Sequence, residues 1–201
     1  MAVTGTILVL FVLGHLAGNL LVFQGRTPMN AYGALLKSQG VLLWGVRGVL
    51  LACVVAHIVA AVQLTRQSHA SRPVDYVRWR PQASTFASRT IRWGGALLAV
   101  FIVFHLLHFT TGTLHPNFRE SDVYGNLVSG LRVWYVAAFY LVAMGALGLH
   151  FYHGVWSFLR TLGLTLPSAT PFQRRLATAL ALVVWLGFSS IPLAVLLGVL
   201  A

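Results

Sequence analysis

Five stretches of this chain, approximately residues 3–23, 44–65, 92–111, 134–159 and 176–200, stay apolar for the length of a bilayer crossing. A helix rising about 1.5 Å per residue needs roughly 20 such residues to cross the hydrocarbon core. Only helices and closed barrels satisfy their backbone polar groups in lipid. Barrel strands alternate apolar and polar residues over short segments, and these runs are continuously apolar. The chain therefore reads as an all-α integral membrane protein, a five-transmembrane-helix bundle. The spans take up more than half of residues 1–201, so a single membrane domain is expected. The first run lacks a basic lead and holds His15 and Asn19, which favours a span over a cleaved signal peptide.

Composition supports the same class. The 201 residues are 58% hydrophobic and 8% charged, with 14 Lys+Arg against 3 Asp+Glu. So few charges cannot cover a water-facing surface, which excludes an ordinary soluble enzyme. A net charge of +11 would suggest nucleic acid in a soluble chain, but here the charges sit in the gaps between apolar runs. The single cysteine, Cys53, excludes a disulfide framework and a Cys-rich metal site within the chain. The basic residues divide unevenly. Arg66, Arg72, Arg78, Arg80, Arg89, Arg92, Arg160, Arg174 and Arg175 fall on one side, and Arg26, Lys37, Arg47, Arg119 and Arg132 on the other. The positive-inside rule then places the N-terminus in the cytoplasm. Asp75, Tyr76, Trp79 and Pro81 lie in the longest Arg-rich loop, which reads either as an orientation signal or as a docking platform for a soluble partner.

Histidine is the main polar chemistry inside the spans. His15, His57, His105 and His150 fall one to a helix in the first four runs, with no Asp or Glu at span depth to pair with. An unpaired imidazole in hydrocarbon costs several kcal/mol, and intramembrane ionisable residues mark function. Successive spans run in opposite directions, so depth follows from position. His15 and His105 sit beyond the middle of outward-going helices, and His57 and His150 beyond the middle of inward-going ones. The four sort into an outer pair, His15/His105, and an inner pair, His57/His150. Two neutral imidazoles at one depth on different helices suit bis-histidine ligation of haem iron. The alternative for each is a structural hydrogen bond.

Glycines fit a flat ligand, since a helix without bulky side chains lets a ring pass close. Gly14 and Gly18 flank His15, and Gly145, Gly148 and Gly154 bracket His150. Gly45 and Gly48 occur in the second span, and Gly94 and Gly95 in the third. Ordinary helix packing is the competing explanation. A zinc protease would need a glutamate between its histidines, and no span has one. Pro192 removes a helical hydrogen bond within the fifth span, where Ser189 or Ser190 offers local compensation and a kink is expected.

Taken in order, MAVTGTILVLFVLGHLAGNLLVFQG, AHIVAAVQLTRQ, RWGGALLAVFIVFHLLHF, HFYHGVWSFLRTLG and GFSSIPLAVLLG give the chain a resemblance to a known family. It resembles, over essentially its whole length, the single-subunit, five-helix, di-haem cytochrome b membrane anchor of succinate dehydrogenases and fumarate reductases. The resemblance implies two haems b, one held by His15 and His105 and the other by His57 and His150. Within HLLH it selects His105, and within HFYHG it selects His150. His108 and His153 would lie one turn nearer the surfaces, as propionate or quinone contacts or as interfacial hydrogen bonds. Arg47 and Arg92 are candidates for propionate pairing, or else orientation signals. Trp156, Ser157 and Arg160 are candidate quinone contacts. Gly148 stands where some members carry a glutamate implicated in proton uptake, so that route is not carried over.

The implied function is the membrane-anchor subunit of a succinate:quinone oxidoreductase in a bacterial inner membrane. A flavoprotein subunit with FAD and an iron–sulfur subunit would dock on the cytoplasmic side. Electrons from them would cross to menaquinone or another quinone. Other readings are a fumarate-reducing anchor, a free-standing transmembrane electron carrier, and a transporter or scaffold. Nucleic acid is not an expected partner.

Overall fold

The computed structural model describes residues 1–71, 85–163 and 170–201, and among these the regular structure is entirely helical. The arginines at 72, 78 and 80, with Asp75, Tyr76, Trp79 and Pro81, lie outside the described residues. Helix α1 covers Ala2–Asn19 and continues as a tight turn over Leu20–Gln24; α2 covers Arg26–Ser38 and α3 Val41–Ala70. Next come α4 (Phe86–His105) with a wide π turn over Leu106–Thr110, then α5 (Val123–Leu131), α6 (Trp134–Thr161) and α7 (Thr170–Leu196). Five helices are long and apolar enough to cross a membrane: Ala2–Gln24, Val41–Ala70, Phe86–Thr110, Trp134–Thr161 and Pro171–Leu196.

The span edges differ from the sequence reading for local reasons. Thr85 accepts a hydrogen bond from the Ser88 amide at 3.1 Å, an N-cap that starts α4 six residues before Arg92. The turn at Gly40, with φ of 38°, lets α3 begin at Val41 rather than Trp44. Gly198, at φ 73°, turns the chain back so that the Leu200 amide reaches the Ala194 carbonyl at 3.2 Å. That left-handed C-terminal turn ends α7 at Leu196. Pro192 lies inside α7 without ending it, and Ser190 donates to the Gly187 carbonyl at 2.7 Å.

Successive spans are antiparallel. Helix α6 packs most extensively on α7 and then on α4, while α1 touches α3, α6 and α7. One core joins Leu16 of α1, Phe151 and Val155 of α6, and Ala177, Ala181 and Val184 of α7. Fully buried alanines, Ala137, Ala143 and Ala177, allow the close backbone approach that replaces the hydrophobic effect as packing force in lipid. We call the end holding Met1, Ala70, Phe86 and Thr161 the near end, and the opposite one the far end.

The far end is closed by two short helices that hydropathy alone does not reveal. Asp122 caps α5 by accepting from the Gly125 amide at 3.0 Å. It also accepts from Asn30 of α2 at 3.0 Å and pairs with Arg26, while Lys37 donates to the Glu120 carbonyl. Asn30 Oδ1 in turn accepts from the Tyr124 amide at 2.9 Å. A second core beneath this cap includes Val22, Met29, Phe101, Leu127, Leu131 and Tyr140.

Candidate functional site

Four helices bring four imidazoles together in two pairs. The rings of His15 (α1) and His105 (α4) have centroids 5.9 Å apart, and those of His57 (α3) and His150 (α6) 6.2 Å. The His57 ring lies beside Gly5, where an added Cβ would meet its Cε1 at 3.5 Å. His15 is ten residues further along α1, so the pairs are separated by roughly 15 Å along the bundle. All four rings are partly buried.

These separations have a chemical meaning. A metal–imidazole nitrogen bond is about 2 Å, and each bonded nitrogen is about 1.2 Å from its ring centre, so two imidazoles trans on one metal have centroids roughly 6–6.5 Å apart. The two pairs match or nearly match that span. Among the described residues no group of three or more His, Cys, Asp or Glu gathers, so each pair offers two protein ligands. A pair of this kind would suit haem, which needs only two ligands from the protein.

Neighbouring side chains engage particular ring nitrogens. Thr4 Oγ1 lies 3.2 Å from His57 Nδ1, and Tyr140 Oη lies 3.3 Å from His105 Nδ1. Both contacts engage Nδ1 and leave Nε2 for a metal, the outer hydrogen bond that orients ligating histidines in general. Asn19 donates to the His15 carbonyl at 2.7 Å and its amide is 3.3 Å from both nitrogens of that ring. His150 Nδ1 is buried without a hydrogen-bond partner. Phe11 stacks on His15 at 5.4 Å, and Phe101 on His105 at 5.7 Å.

The glycines divide into two kinds. At Gly14, Gly45, Gly48, Gly94, Gly145 and Gly154 an added Cβ would meet nothing within 4 Å among the described residues, so packing between the described helices does not explain their small size. Gly18 and Gly148 instead close helix contacts: a Cβ there would come within 2.6 Å of Tyr32 and 3.0 Å of Trp185. Gly94 and His150 line a groove of 220 Å³ between α4 and α6, whose other walls include Thr90, Trp93, Leu97 and Ala146.

The remaining sequence candidates fall in distinct places. His108 is 2% exposed on the π turn, and its Nδ1 is 3.1 Å from Tyr140 Oη. His153 is partly buried one turn beyond His150. Arg92 reaches His69 Nε2 at 3.0 Å and so links α4 to α3, while Arg47 lies over the ring of Trp44 at 4.9 Å. The Trp156 ring is flanked by Arg160 at 5.7 Å and Arg174 at 5.1 Å, joining the near ends of α6 and α7. Ser157 accepts from Thr161 through its carbonyl at 3.0 Å.

Sequence reasoning missed Thr4, Tyr140 and His115. Thr4 and Tyr140 were legible only as polar atoms at the depth of a histidine on another helix. His115 is 6% exposed in the loop before α5, with its Nε2 2.9 Å from the Asn126 carbonyl and its Nδ1 accepting from the Asn117 amide at 3.2 Å. No family model matches the chain, and comparison with curated proteins and with solved structures finds no match either.

Proposed function

We propose that this chain is the di-haem cytochrome b membrane anchor of a succinate:quinone oxidoreductase, carrying electrons from an iron–sulfur partner towards a quinone. The observation that carries the reading is the pair of ring separations, 5.9 and 6.2 Å, on four different helices. The open glycines on these helices support it. The sequence resemblance supplies the choice of complex.

In this reading His15 and His105 hold one haem b and His57 and His150 the other. When bound, the haems supply one-electron redox capacity at two depths of the bilayer. The chain's own residues do the rest. Thr4 and Tyr140 fix the Nδ1 atoms of two ligands, Asn19 braces a third, and Phe11 and Phe101 exclude water from the His15/His105 pair. Oxidation of succinate belongs to a flavoprotein subunit outside this chain.

The near end carries Arg66, Arg89, Arg92, Arg160, Arg174 and Arg175 among the described residues, and the far end Arg26, Lys37, Arg47, Arg119 and Arg132, of which Arg26 and Lys37 engage Asp122 and Glu120. By the positive-inside rule the near end faces the cytoplasm, and the soluble subunits dock there. Mild-detergent purification of the tagged chain from its own membranes tests this. A flavin-bearing and an iron–sulfur subunit should co-purify with succinate:quinone activity. A haem-loaded chain that purifies alone, without either subunit, contradicts the anchor role.

A further inference from the structure

The Tyr140 hydroxyl lies within hydrogen-bond distance of two histidines on the Phe86–Thr110 span. Its Oη is 3.3 Å from His105 Nδ1 and 3.1 Å from His108 Nδ1. A phenol has one proton, so it donates to one of these nitrogens and accepts from the other. The direction follows from the proposed ligation, on which this inference rests. A neutral His105 that gives its Nε2 lone pair to iron keeps its proton on Nδ1. It therefore donates to Tyr140, and the Tyr140 hydroxyl donates onward to His108.

His108 packs against His115, whose own ring is fixed by hydrogen bonds. The Asn117 amide donates to His115 Nδ1, so the His115 proton is on Nε2 and points to the Asn126 carbonyl. The His108 ring stacks on His115 with centroids 5.1 Å apart and planes inclined by 27°. Gly130 lies beneath both: an added Cβ would meet His108 Cε1 and Nε2 at 2.8 Å and His115 Nε2 at 3.1 Å. The π turn at Leu106–Thr110 carries His108, and such wide turns recur at functional sites.

We infer that Tyr140 and His108 are positioning residues for the His15/His105 haem, forming the one-way hydrogen-bond chain His105 Nδ1–H to Tyr140 Oη–H to His108 Nδ1. An acceptor on Nδ1–H makes an imidazole a more electron-rich ligand. An acceptor for the phenol proton strengthens that effect cooperatively. The chain therefore stabilises the oxidised state of that haem, and it leaves the His57/His150 haem alone.

The test is a redox titration of the purified complex, with EPR of each ferric haem, in wild type, Tyr140→Phe and His108→Phe. His57→Ala identifies which signal belongs to the His15/His105 haem. Tyr140→Phe should raise the midpoint potential of that haem and shift its EPR signal, with both haems retained and the other potential unmoved. His108→Phe should give a smaller rise of the same sign. Two haems with unchanged potentials in both variants would overturn the inference, and so would equal shifts at both haems. If Tyr140→Phe fails to assemble, the sign of the His108→Phe shift decides. A wild-type complex that holds no haem would instead overturn the proposed function.

Discussion

Thr4 Oγ1 stands 3.2 Å from Nδ1 of His57, a contact between the first turn of α1 and the middle of α3. It engages Nδ1 of His57 and leaves Nε2 free, and the His150 ring centroid is 6.2 Å away. Thr4→Val keeps the shape and removes the hydroxyl. Second-shell losses of this kind weaken a metal site roughly 10- to 100-fold. The variant should lose the His57/His150 haem on dilution or to an added haem-scavenging protein while retaining the other. Haem quantified per chain by pyridine haemochrome reads the outcome; full retention of both haems removes Thr4 from the site.

The two kinds of glycine give opposite expectations. Gly94→Leu projects into the open groove beside His150, and the apo chain should fold with near wild-type thermal stability but fail to take up the inner haem. Gly148→Leu drives a side chain into Trp185 of α7. Overpacking of that kind costs about 1–3 kcal/mol, so it should lower the melting temperature with or without haem. Melting curves of both variants, with and without added haem, separate the cases.

The far-end cap has its own pH signature. Hydrogen bonding to Asn30 first, then to the Gly125 amide and Arg26, holds the Asp122 carboxyl below its ordinary range. A carboxylate whose folded value is lowered contributes stability that is complete above its unfolded value near pH ~4 and is lost as pH falls through the folded value. Asp122→Ala should cost about 1 kcal/mol at neutral pH from the lost N-cap. The gap between variant and wild type should begin to narrow near pH ~4 and close as pH falls through the lowered folded value. Proteolytic opening of the α2–α5 cap, followed from neutral to acidic pH, reads this; a gap that persists unchanged in acid contradicts it.

The spans were legible because lipid demands uninterrupted apolar runs, and His15, His57, His105 and His150 stood out as ionisable residues inside them. Edges were less legible, since Thr85, Gly40 and Gly198 act through capping and turn geometry rather than through hydropathy. The α2–α5 cap was hidden for a different reason. Its helices are short, and the contacts that hold it, Asp122 with Asn30 and Arg26, join residues more than ninety positions apart. Gly18 and Gly148 read the same as Gly14 and Gly145 in the sequence, and only the neighbouring helix distinguishes a packing glycine from an open one. Tyr140 shows the limit most clearly. Its role depends on two histidines of α4 and its wide turn, which no pattern within α6 announces.

In the proposed function the four span histidines bind haem in two cross-helix pairs. Reduced-minus-oxidised difference spectra of the purified chain, with haem counted per polypeptide, test it most directly in wild type and in His15→Ala, His57→Ala, His105→Ala and His150→Ala. The account predicts two haems b in wild type and one in each variant, with His15→Ala and His105→Ala losing the same spectral component and His57→Ala and His150→Ala losing the other. A wild-type chain without a haem spectrum, or losses that pair the histidines differently, would contradict it.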